Sequence, residues 1–430
     1  MEPVPLTGAP ATRHPPRVRG WDSTVSWRRD PYRFVSTQCR HLETPVFEGR
    51  LLLQRCTFMS GACCAALFYD EQRFARSGAA PEPLRATLFG EGAVQGLDGD
   101  LHRRRKALFL TATAPSEVIR LVNLVREEWQ RALPDWAARG PISLYEALHP
   151  VLARSACAWA GIPLPDADVA LRTRQLVALF DSAAGNPLAH MRARTARRHV
   201  EVWLVALIEA ARALRLRLPD ASAASLVTWH SDVDGTLLPA RVAAVELINL
   251  LRPVVAVSVY LAFTAHALWA HRPWRTALAD MPGGRDALAF VHEVRRAYPF
   301  FPLVAARVRR DFDWHGLRFD AGTRALLDVY GTNHDPAVWP RANDFWPERW
   351  LATRPGRFDF IAQGGGDVAR QHRCPGEDIT VQLMLLAVEM LLRQMRYDGP
   401  ETAPILMQRL PAIPQAGFVI DRVRLAGSIV

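Results

Sequence analysis

The chain has 430 residues, of which 49% are hydrophobic, and its formal net charge is +10. This composition fits a large soluble enzyme with a sizeable core, and the length alone would permit two or three domains. Its six cysteines show no paired spacing, no zinc pattern and no preceding secretory signal, which excludes a disulfide scaffold and predicts a cytoplasmic protein.

The positive charge says little about binding partners. Lys106 is the only lysine, and arginines are spread along the whole chain. The one basic cluster, at residues 102–106, could contact phosphate. No aromatic platform, zinc motif or helix-turn-helix pattern accompanies it, so we expect no nucleic-acid partner.

The first twenty residues are rich in proline and arginine and lack an apolar stretch, so we predict a disordered arm over residues 1–20. Short strands are predicted at Arg50–Arg55 and at Phe58–Met59, before a helix from about Gly61 to Tyr69. Apolar residues then recur at spacings of three and four, which predicts amphipathic helices. These helices are expected at about Ser116–Trp136, Leu144–Trp159, Asp166–Asp181 and Arg194–Leu214.

A long apolar helix is predicted from about Val242 to Leu268. Polar side chains interrupt it, among them Arg252 and His266, so we expect a buried core helix and no membrane anchor. Arg252 places a guanidinium within an apolar face, and its helical neighbours include no acidic residue. An unpaired buried charge is costly, so its partner must come from elsewhere. The alternatives are an arginine that reaches the protein edge or one that meets a distant carboxylate.

Pro253 follows directly in this helix. A proline inside a helix removes one backbone hydrogen bond, here to the Asn249 carbonyl, and kinks the axis. We therefore expect open space, and a special site, beside Arg252.

The most informative run is residues 363–377, which contains three consecutive glycines and places Cys374 just before another apolar helix. Glycines let the backbone turn tightly and approach a flat cofactor. A helix that begins near Glu377 puts its positive end close to the thiol, which should lower the pKa of Cys374. The pattern indicates a thiolate haem ligand; the alternatives are a buried inert cysteine or a reactive thiol.

This run resembles the cysteine-ligand loop of the cytochromes P450. Two further marks of that family lie upstream in the expected order: residues 293–296, similar to its E-x-x-R pair, and residues 345–350, similar to the segment before its ligand loop. The resemblance implies a mainly α-helical fold with small β-sheets and a single haem domain over residues 21–430. It also implies haem b, with the Cys374 thiolate as the iron ligand.

Ordinary members of the family carry an acid–alcohol pair where this chain has Arg252 and Pro253. An arginine and a proline at this place resemble the pair found in one branch of the family, the hydrogen-peroxide-dependent fatty-acid peroxygenases. In that branch the arginine anchors the substrate carboxylate. The resemblance extends over nearly the whole chain. It includes residues 94–99, 246–249, 298–301 and 330–336.

The resemblance implies hydroxylation of a fatty acid, or another carboxylic acid, at the alpha or beta carbon. Hydrogen peroxide would be the oxidant, and no protein electron donor would be required. Arg252 would bind the carboxylate beside Pro253, and the carboxylate would serve as acid and base. Gln95 matches a distal-pocket position and favours hydroxylation over decarboxylation to a terminal alkene. Phe89 matches a steric position of the pocket.

Three residues, His102, Lys106 and His372, match positions that contact the haem propionates in this family, with solvated surface charge as the alternative. The chain departs from the branch at Ala362, at Gln371 and over residues 185–194, which leaves the length and tail chemistry of the acid open. A reductase-dependent monooxygenase and a haem sensor without turnover are the competing interpretations.

Overall fold

The computed structural model describes residues 13–181, 187–281 and 283–426. As predicted, the fold is mainly α-helical with small β-sheets. The helices are α1 (Thr24–Arg29), α2 (Phe34–His41), α3 (Ala62–Phe68), α4 (Glu82–Leu84), α5 (Gly99–Ala112), α6 (Pro115–Ala138), α7 (Leu144–Ala160), α8 (Asp166–Asp181), α9 (Pro187–Arg212), α10 (Ala223–Thr228), α11 (Ala240–Ala256), α12 (Ser258–Ala270), α13 (Arg272–Asp280), α14 (Gly284–Ala297), α15 (Val329–Asn333), α16 (Arg349–Ala352) and α17 (Glu377–Glu389).

The strands of the described residues form three sheets. They are β1 (Val46–Leu51), β2 (Gln54–Met59), β3 (Phe74–Ala75), β4 (Ile142–Ser143), β5 (Leu303–Val308), β6 (Phe312–Trp314), β7 (Leu317–Phe319), β8 (Arg324–Asp328), β9 (Met395–Asp398) and β10 (Val419–Leu425). The largest sheet has the order β1-β2-β8-β5-β3, and only its β2–β8 pair is parallel. The others have the orders β4-β10-β9 and β6-β7.

The predicted strand over Arg50–Arg55 is wrong, because the chain reverses in its middle. Arg50 pairs with Arg55 across a hairpin whose two-residue turn is Leu52 and Leu53. Both leucines have positive φ, at 51° and 63°. Three consecutive leucines carry none of the Asn or Gly signals that mark such a turn, so hydrophobicity alone predicted one continuous strand.

Most predicted helices lie where the apolar spacing placed them. The helix predicted at Asp166–Asp181 has those bounds, and those predicted near residues 116–136 and 144–159 are α6 and α7. Helix α9 begins at Pro187, several residues before the predicted start at Arg194. Proline is tolerated in the first turn of a helix, where its missing N–H would have no partner. Residues 185 and 186 of the divergent run lie outside the described residues.

The long apolar helix is confirmed as a core element. Helices α11 and α12 together are long and apolar enough to cross a membrane, with a mean hydropathy of 1.8 in an 18-residue window. However, 89% of that window is buried inside the fold, as in the core helix of a globular protein. They pack against α7, α9, α14 and α17. Arg252, on α11, therefore lies within the buried core.

Most of the predicted arm, residues 1–12, lies outside the described residues. The predicted disorder is wrong for residues 13–20, because this segment forms backbone hydrogen bonds along the edges of the sheets. The Arg13 amide donates to the Gly316 carbonyl at 3.1 Å, and Val18 donates to the Glu48 carbonyl at 2.9 Å.

Asp328, at the end of β8, is a buried acid whose ionisation affects stability. Its carboxylate accepts from the Gly331 amide at 2.7 Å and from Ser60 Oγ at 3.3 Å. Burial nevertheless dominates, and it raises the pKa of Asp328 to about 7. The folded protein therefore holds a proton that the unfolded chain releases near pH 4.

We expect the free energy of unfolding to fall as the pH rises from about 4 to about 7, by up to about 1.4 kcal/mol per pH unit from this group. The Asp328→Asn variant should lack this slope, since asparagine keeps an acceptor but does not titrate. Urea unfolding of both proteins at about pH 5 and pH 7 tests the prediction. Parallel profiles for the two proteins would contradict it.

Candidate functional site

The loop before α17 folds back tightly around Cys374. The Cys374 amide donates to the Gln363 carbonyl at 2.9 Å. Gly364 has a φ of +97°, and a Cβ there would lie 3.0 Å from the Arg373 Cα atom. A side chain at that position would strain the loop, so glycine is required for the turn that presents the thiol.

The pKa of the Cys374 thiol depends on burial and on the polar groups around it. Burial is the largest effect and raises the pKa of Cys374, whereas the Gly376 amide and the cations Lys106 and Arg295 lower it. The sequence-based prediction of a lowered pKa is thus wrong for the thiol by itself. Burial outweighs the helix end and favours the neutral thiol, whereas a metal ion bonded to sulfur would favour the thiolate.

Lys106, on α5, reaches into the loop. Its Nζ donates to the Gln371 carbonyl at 3.1 Å and to the Arg373 carbonyl. Only 2% of Lys106 is exposed, and burial lowers its pKa to about 8. A solvated surface lysine is thereby excluded.

His102 and His372 are brought together by the fold. Their rings stack with centroids 3.8 Å apart. Burial lowers the pKa of His102 to about 4 and holds the pKa of His372 well below its usual value. Burial therefore favours the neutral form of both imidazoles, and a neutral imidazole can still donate one hydrogen bond.

Arg76 is a candidate site residue that sequence reasoning missed. Its guanidinium lies over the Phe68 ring at 4.1 Å and donates to the Ala305 carbonyl at 2.9 Å. Its charge also lowers the pKa of His372, so it belongs to the same cluster. No motif surrounds Arg76 in the sequence that could have revealed this position.

Arg252 is buried with almost no protein partner. Only 6% of it is exposed, and its Nη2 donates to Asn249 Oδ1 at 3.2 Å. Its Nε has no hydrogen-bond partner in the part of the chain that the structure describes. Within residues 13–181, 187–281 and 283–426, no carboxylate forms a salt bridge with it. Burial lowers its pKa to about 9, so it remains charged at neutral pH. The distant carboxylate considered for Arg252 is not found there.

Asn249 connects Arg252 to a second buried charge. Its Nδ2 donates to Glu246 Oε2 at 3.2 Å and to the Phe89 carbonyl at 3.0 Å. Glu246 is fully buried and forms a salt bridge of 2.6 Å with Arg105. Glu246 also accepts from the Val94 amide at 2.9 Å. Glu246 is thus engaged by Arg105 and forms no salt bridge with Arg252.

The other predicted site residues lie around this network. Pro253 cannot donate to the Asn249 carbonyl, and the helix is interrupted one turn later, at Val257 between α11 and α12. Gln95 follows Val94 directly, and its buried Oε1 has no hydrogen-bond partner within the described ranges. The Phe89 side chain is half-buried and packs against the main core cluster. Arg252, Gln95 and Phe89 are thus tied to one hydrogen-bonded unit through Asn249 and Glu246.

A buried ion cluster joins the two upstream motifs. Glu293, which is fully buried, accepts from Arg296 Nη2 at 2.7 Å and from Arg349 Nε at 3.3 Å. It also accepts from the Trp346 amide and the Trp350 indole, both at 2.8 Å. The role of Arg349 was missed, since 56 residues separate it from Glu293.

We expect the Glu293→Gln variant to lose about 3–5 kcal/mol of unfolding free energy, because it leaves two buried guanidinium groups without a countercharge. The control is Asp344→Asn, which breaks an exposed pair at the same spacing with Arg341 and should cost about 0.5 kcal/mol or less. Urea unfolding of the haem-loaded variants measures both. Equal losses would contradict the prediction.

Comparison with known proteins agrees with this geometry. A family model described as Cytochrome P450 matches residues 287–420. The structure of cytochrome P450SP alpha (CYP152B1) in complex with (R)-ibuprophen is 46% identical, covers 94% of this chain and 100% of that one, and has a TM-score of 0.92. The chain belongs to the cytochrome P450 family. The predicted family is therefore confirmed.

Other relatives of this P450 are consistent with that assignment. Cytochrome P450EX alpha (CYP152N1) with myristic acid is 36% identical over 96% of this chain and 100% of that one, with a TM-score of 0.92. Putative cytochrome P450 137 of Mycobacterium tuberculosis is 28% identical over 159 residues, which span about a third (33%) of its length. The likeness to CYP152 structures over the whole chain confirms the predicted peroxygenase branch.

The residues of this P450 fit the cofactor of its family, a thiolate-ligated haem b. The Cys374 thiol is partly buried, and two cations, Lys106 and Arg295, lie near enough to lower its pKa. Lys106, Arg76 and the paired imidazoles of His102 and His372 are the groups that suit the haem propionates. Gln95 and Arg252 both retain buried polar atoms without a partner, as groups that face a ligand do.

Proposed function

We propose that this P450 uses hydrogen peroxide to hydroxylate a fatty acid, or a related carboxylic acid, at the alpha or beta carbon. Cys374 is the haem ligand in this proposal, and Arg252 binds the substrate carboxylate. The single observation that carries the proposal is Arg252 itself: a buried guanidinium whose one hydrogen-bond partner among the described residues is an amide.

A buried cation without a countercharge is a costly feature, and it points to an anionic ligand. Burying an ion costs several kcal/mol, which a carboxylate at hydrogen-bonding distance offsets. Asn249 Oδ1 accepts from one terminal nitrogen and leaves Nε without a partner. A planar guanidinium held in this way suits a bidentate contact with a carboxylate.

The bound carboxylate also supplies the base that the core helix lacks. Glu246 is the only acidic residue of α11, and it is already engaged by Arg105, Asn249 and the Val94 amide. The substrate carboxylate is therefore the group placed to accept and return the proton of hydrogen peroxide. The haem, when bound, supplies the activation of peroxide and the removal of hydrogen from carbon.

Anchoring of the head group determines which carbon reacts. With the carboxylate held by Arg252, the alpha and beta carbons are the substrate atoms nearest to the reaction centre. The ligands of two relatives support an acid-binding pocket: CYP152B1 is described with (R)-ibuprophen and CYP152N1 with myristic acid, and both compounds are carboxylic acids.

The decisive experiment uses the purified haem protein with hydrogen peroxide, a panel of fatty acids of mixed length and no reductase. We expect 2- or 3-hydroxy acids by mass spectrometry, and the panel also gives the chain-length preference. Terminal alkenes would instead assign decarboxylation. If an intact haem protein consumed no acid until an electron donor was added, the reductase-dependent alternative would replace this proposal.

Within the proposal, the oxidant is hydrogen peroxide and no redox partner protein takes part. We place the enzyme in the cytoplasm, and its six cysteines, all of them free thiols, support a reducing compartment. Gln95, a neutral amide at the distal-pocket position, supports hydroxylation over decarboxylation.

A further inference from the structure

Four large apolar side chains are exposed together where the β1–β2 hairpin meets the start of α1. The exposed fractions are 71% for Trp21, 65% for Val25, 49% for Leu52 and 65% for Leu53. We refer to these four residues as the apolar tip. Exposed apolar groups that cluster in this way indicate an interaction surface, whereas single ones are ordinary.

The turn of the hairpin is strained in order to present its two leucines. Leu52 and Leu53 both have left-handed φ values, of 51° and 63°, in the two-residue loop of the hairpin. Such a loop favours Asn and Gly, because a Cβ atom crowds the backbone in the left-handed region. The leucines gain no core burial in return. Strain without a structural benefit points to a function for these side chains.

The backbone amides of Leu52 and Leu53 in the apolar tip already have hydrogen-bond acceptors within the protein. The Leu52 amide donates to Thr24 Oγ1 at 2.7 Å, and the Leu53 amide donates to Asp22 Oδ2 at 2.8 Å. Ser23 donates to the Arg50 carbonyl at 2.8 Å, which fastens α1 to the hairpin. A segment can enter an apolar phase only when its amides have partners, and these two amides have them.

Exposed cations flank the apolar tip. Arg19, Arg28 and Arg29 are exposed, and none forms a salt bridge within the described parts of the chain. The Arg50 guanidinium lies 5.5 Å from the Trp21 ring centroid. Arginines beside a tryptophan and aliphatic side chains match the interface of a membrane, where anionic headgroups overlie acyl chains.

We propose that the apolar tip docks on lipid bilayers that carry anionic headgroups. Leu52, Leu53 and Trp21 enter the acyl boundary, while Arg28 and Arg29 contact the headgroups. The attachment is peripheral and reversible, since it uses a surface and not a spanning helix. It is independent of the reaction proposed above.

The test is co-sedimentation of the haem-loaded protein with vesicles of phosphatidylcholine and phosphatidylglycerol, compared with phosphatidylcholine alone. We expect binding to the anionic vesicles that weakens with added salt. The variant Leu52→Asn/Leu53→Gly should bind at least tenfold less, yet its melting temperature should rise, because these residues relieve the strained turn. That combination separates lost docking from damaged folding.

The matched control is Ile119→Ser/Val202→Ser, which removes two apolar side chains of similar exposure, 63% and 68%, from α6 and α9. It should bind vesicles as the native protein does, whereas Arg28→Ser/Arg29→Ser should bind the anionic vesicles less. Equal binding to both vesicle types, or unchanged binding by the Leu52→Asn/Leu53→Gly variant, would overturn the proposal. A lipid-free dimer that this variant abolishes would assign the surface to a second copy instead.

Discussion

The Arg252→Met variant should lose fatty-acid turnover while becoming more stable than the native protein in the absence of substrate. Loss of a buried charge pair with the substrate costs about 2–5 kcal/mol of binding free energy. The substrate carboxylate is also misplaced and no longer serves as base, so kcat/KM should fall at least about 1000-fold. Methionine removes a cation whose burial is not offset, which should raise the unfolding free energy by about 1–3 kcal/mol.

Peroxide-driven turnover and urea unfolding measure the two effects of Arg252→Met separately. A third readout is the rise in melting temperature on adding fatty acid, which the native protein should show and the variant should lack. Retained turnover of fatty acids by the variant would eliminate the role proposed for Arg252.

Arg197→Met is the matched control for stability. Arg197 is also buried, at 3% exposed against 6% for Arg252, but it forms a salt bridge of 2.6 Å with Glu201 and donates to carbonyl groups. The same substitution should therefore destabilise the protein at this position, because it leaves those acceptors unpaired. A stabilising effect at both positions would mean that the absence of a partner is not what distinguishes Arg252.

Replacing Cys374 with serine should remove the spectral signature of a thiolate-ligated haem and lower peroxide-driven turnover by at least about 100-fold. A serine hydroxyl stays protonated at neutral pH and donates far less electron density to iron than a thiolate does. The absorption spectrum of the reduced, carbon monoxide-bound protein reports the ligand directly.

Cys63→Ser is the control for this substitution, since Cys63 is an exposed thiol on α3. Its spectrum and turnover should match those of the native protein. An unchanged thiolate signature in the Cys374→Ser variant would assign the haem ligand to another residue.

The sequence predicted the helices best where their packing is regular. The helix at residues 166–181 and the long apolar helix follow from apolar spacing alone, because each buries one face or all faces in the core. The hairpin at Leu52 and Leu53 could not be predicted, since its turn uses residues that local preference disfavours. The interruption at Val257 was also hidden, since the residues on both sides of it are apolar.

Some residues of the candidate site could be predicted from the sequence, and others were found only in the structure. Residue types and spacing were enough to single out Cys374, Arg252 and Pro253, and the resemblance to a family supplied Gln95, Lys106 and the histidines. Sequence reasoning missed Asn249 as the partner of Arg252, Arg76 beside His372, and Arg349 in the Glu293 cluster.

By itself, the sequence determined the family, the haem ligand that we propose and the presence of a cation in an apolar helix, because these depend on residue types at short spacings. Only the tertiary structure decided which charges have partners. Glu246 pairs with Arg105 across 141 residues, while Arg252, on the same helix, finds an amide and no carboxylate in the described chain. The reason is physical: the cost of a charge depends on its burial and on donors and acceptors that distant segments bring to it.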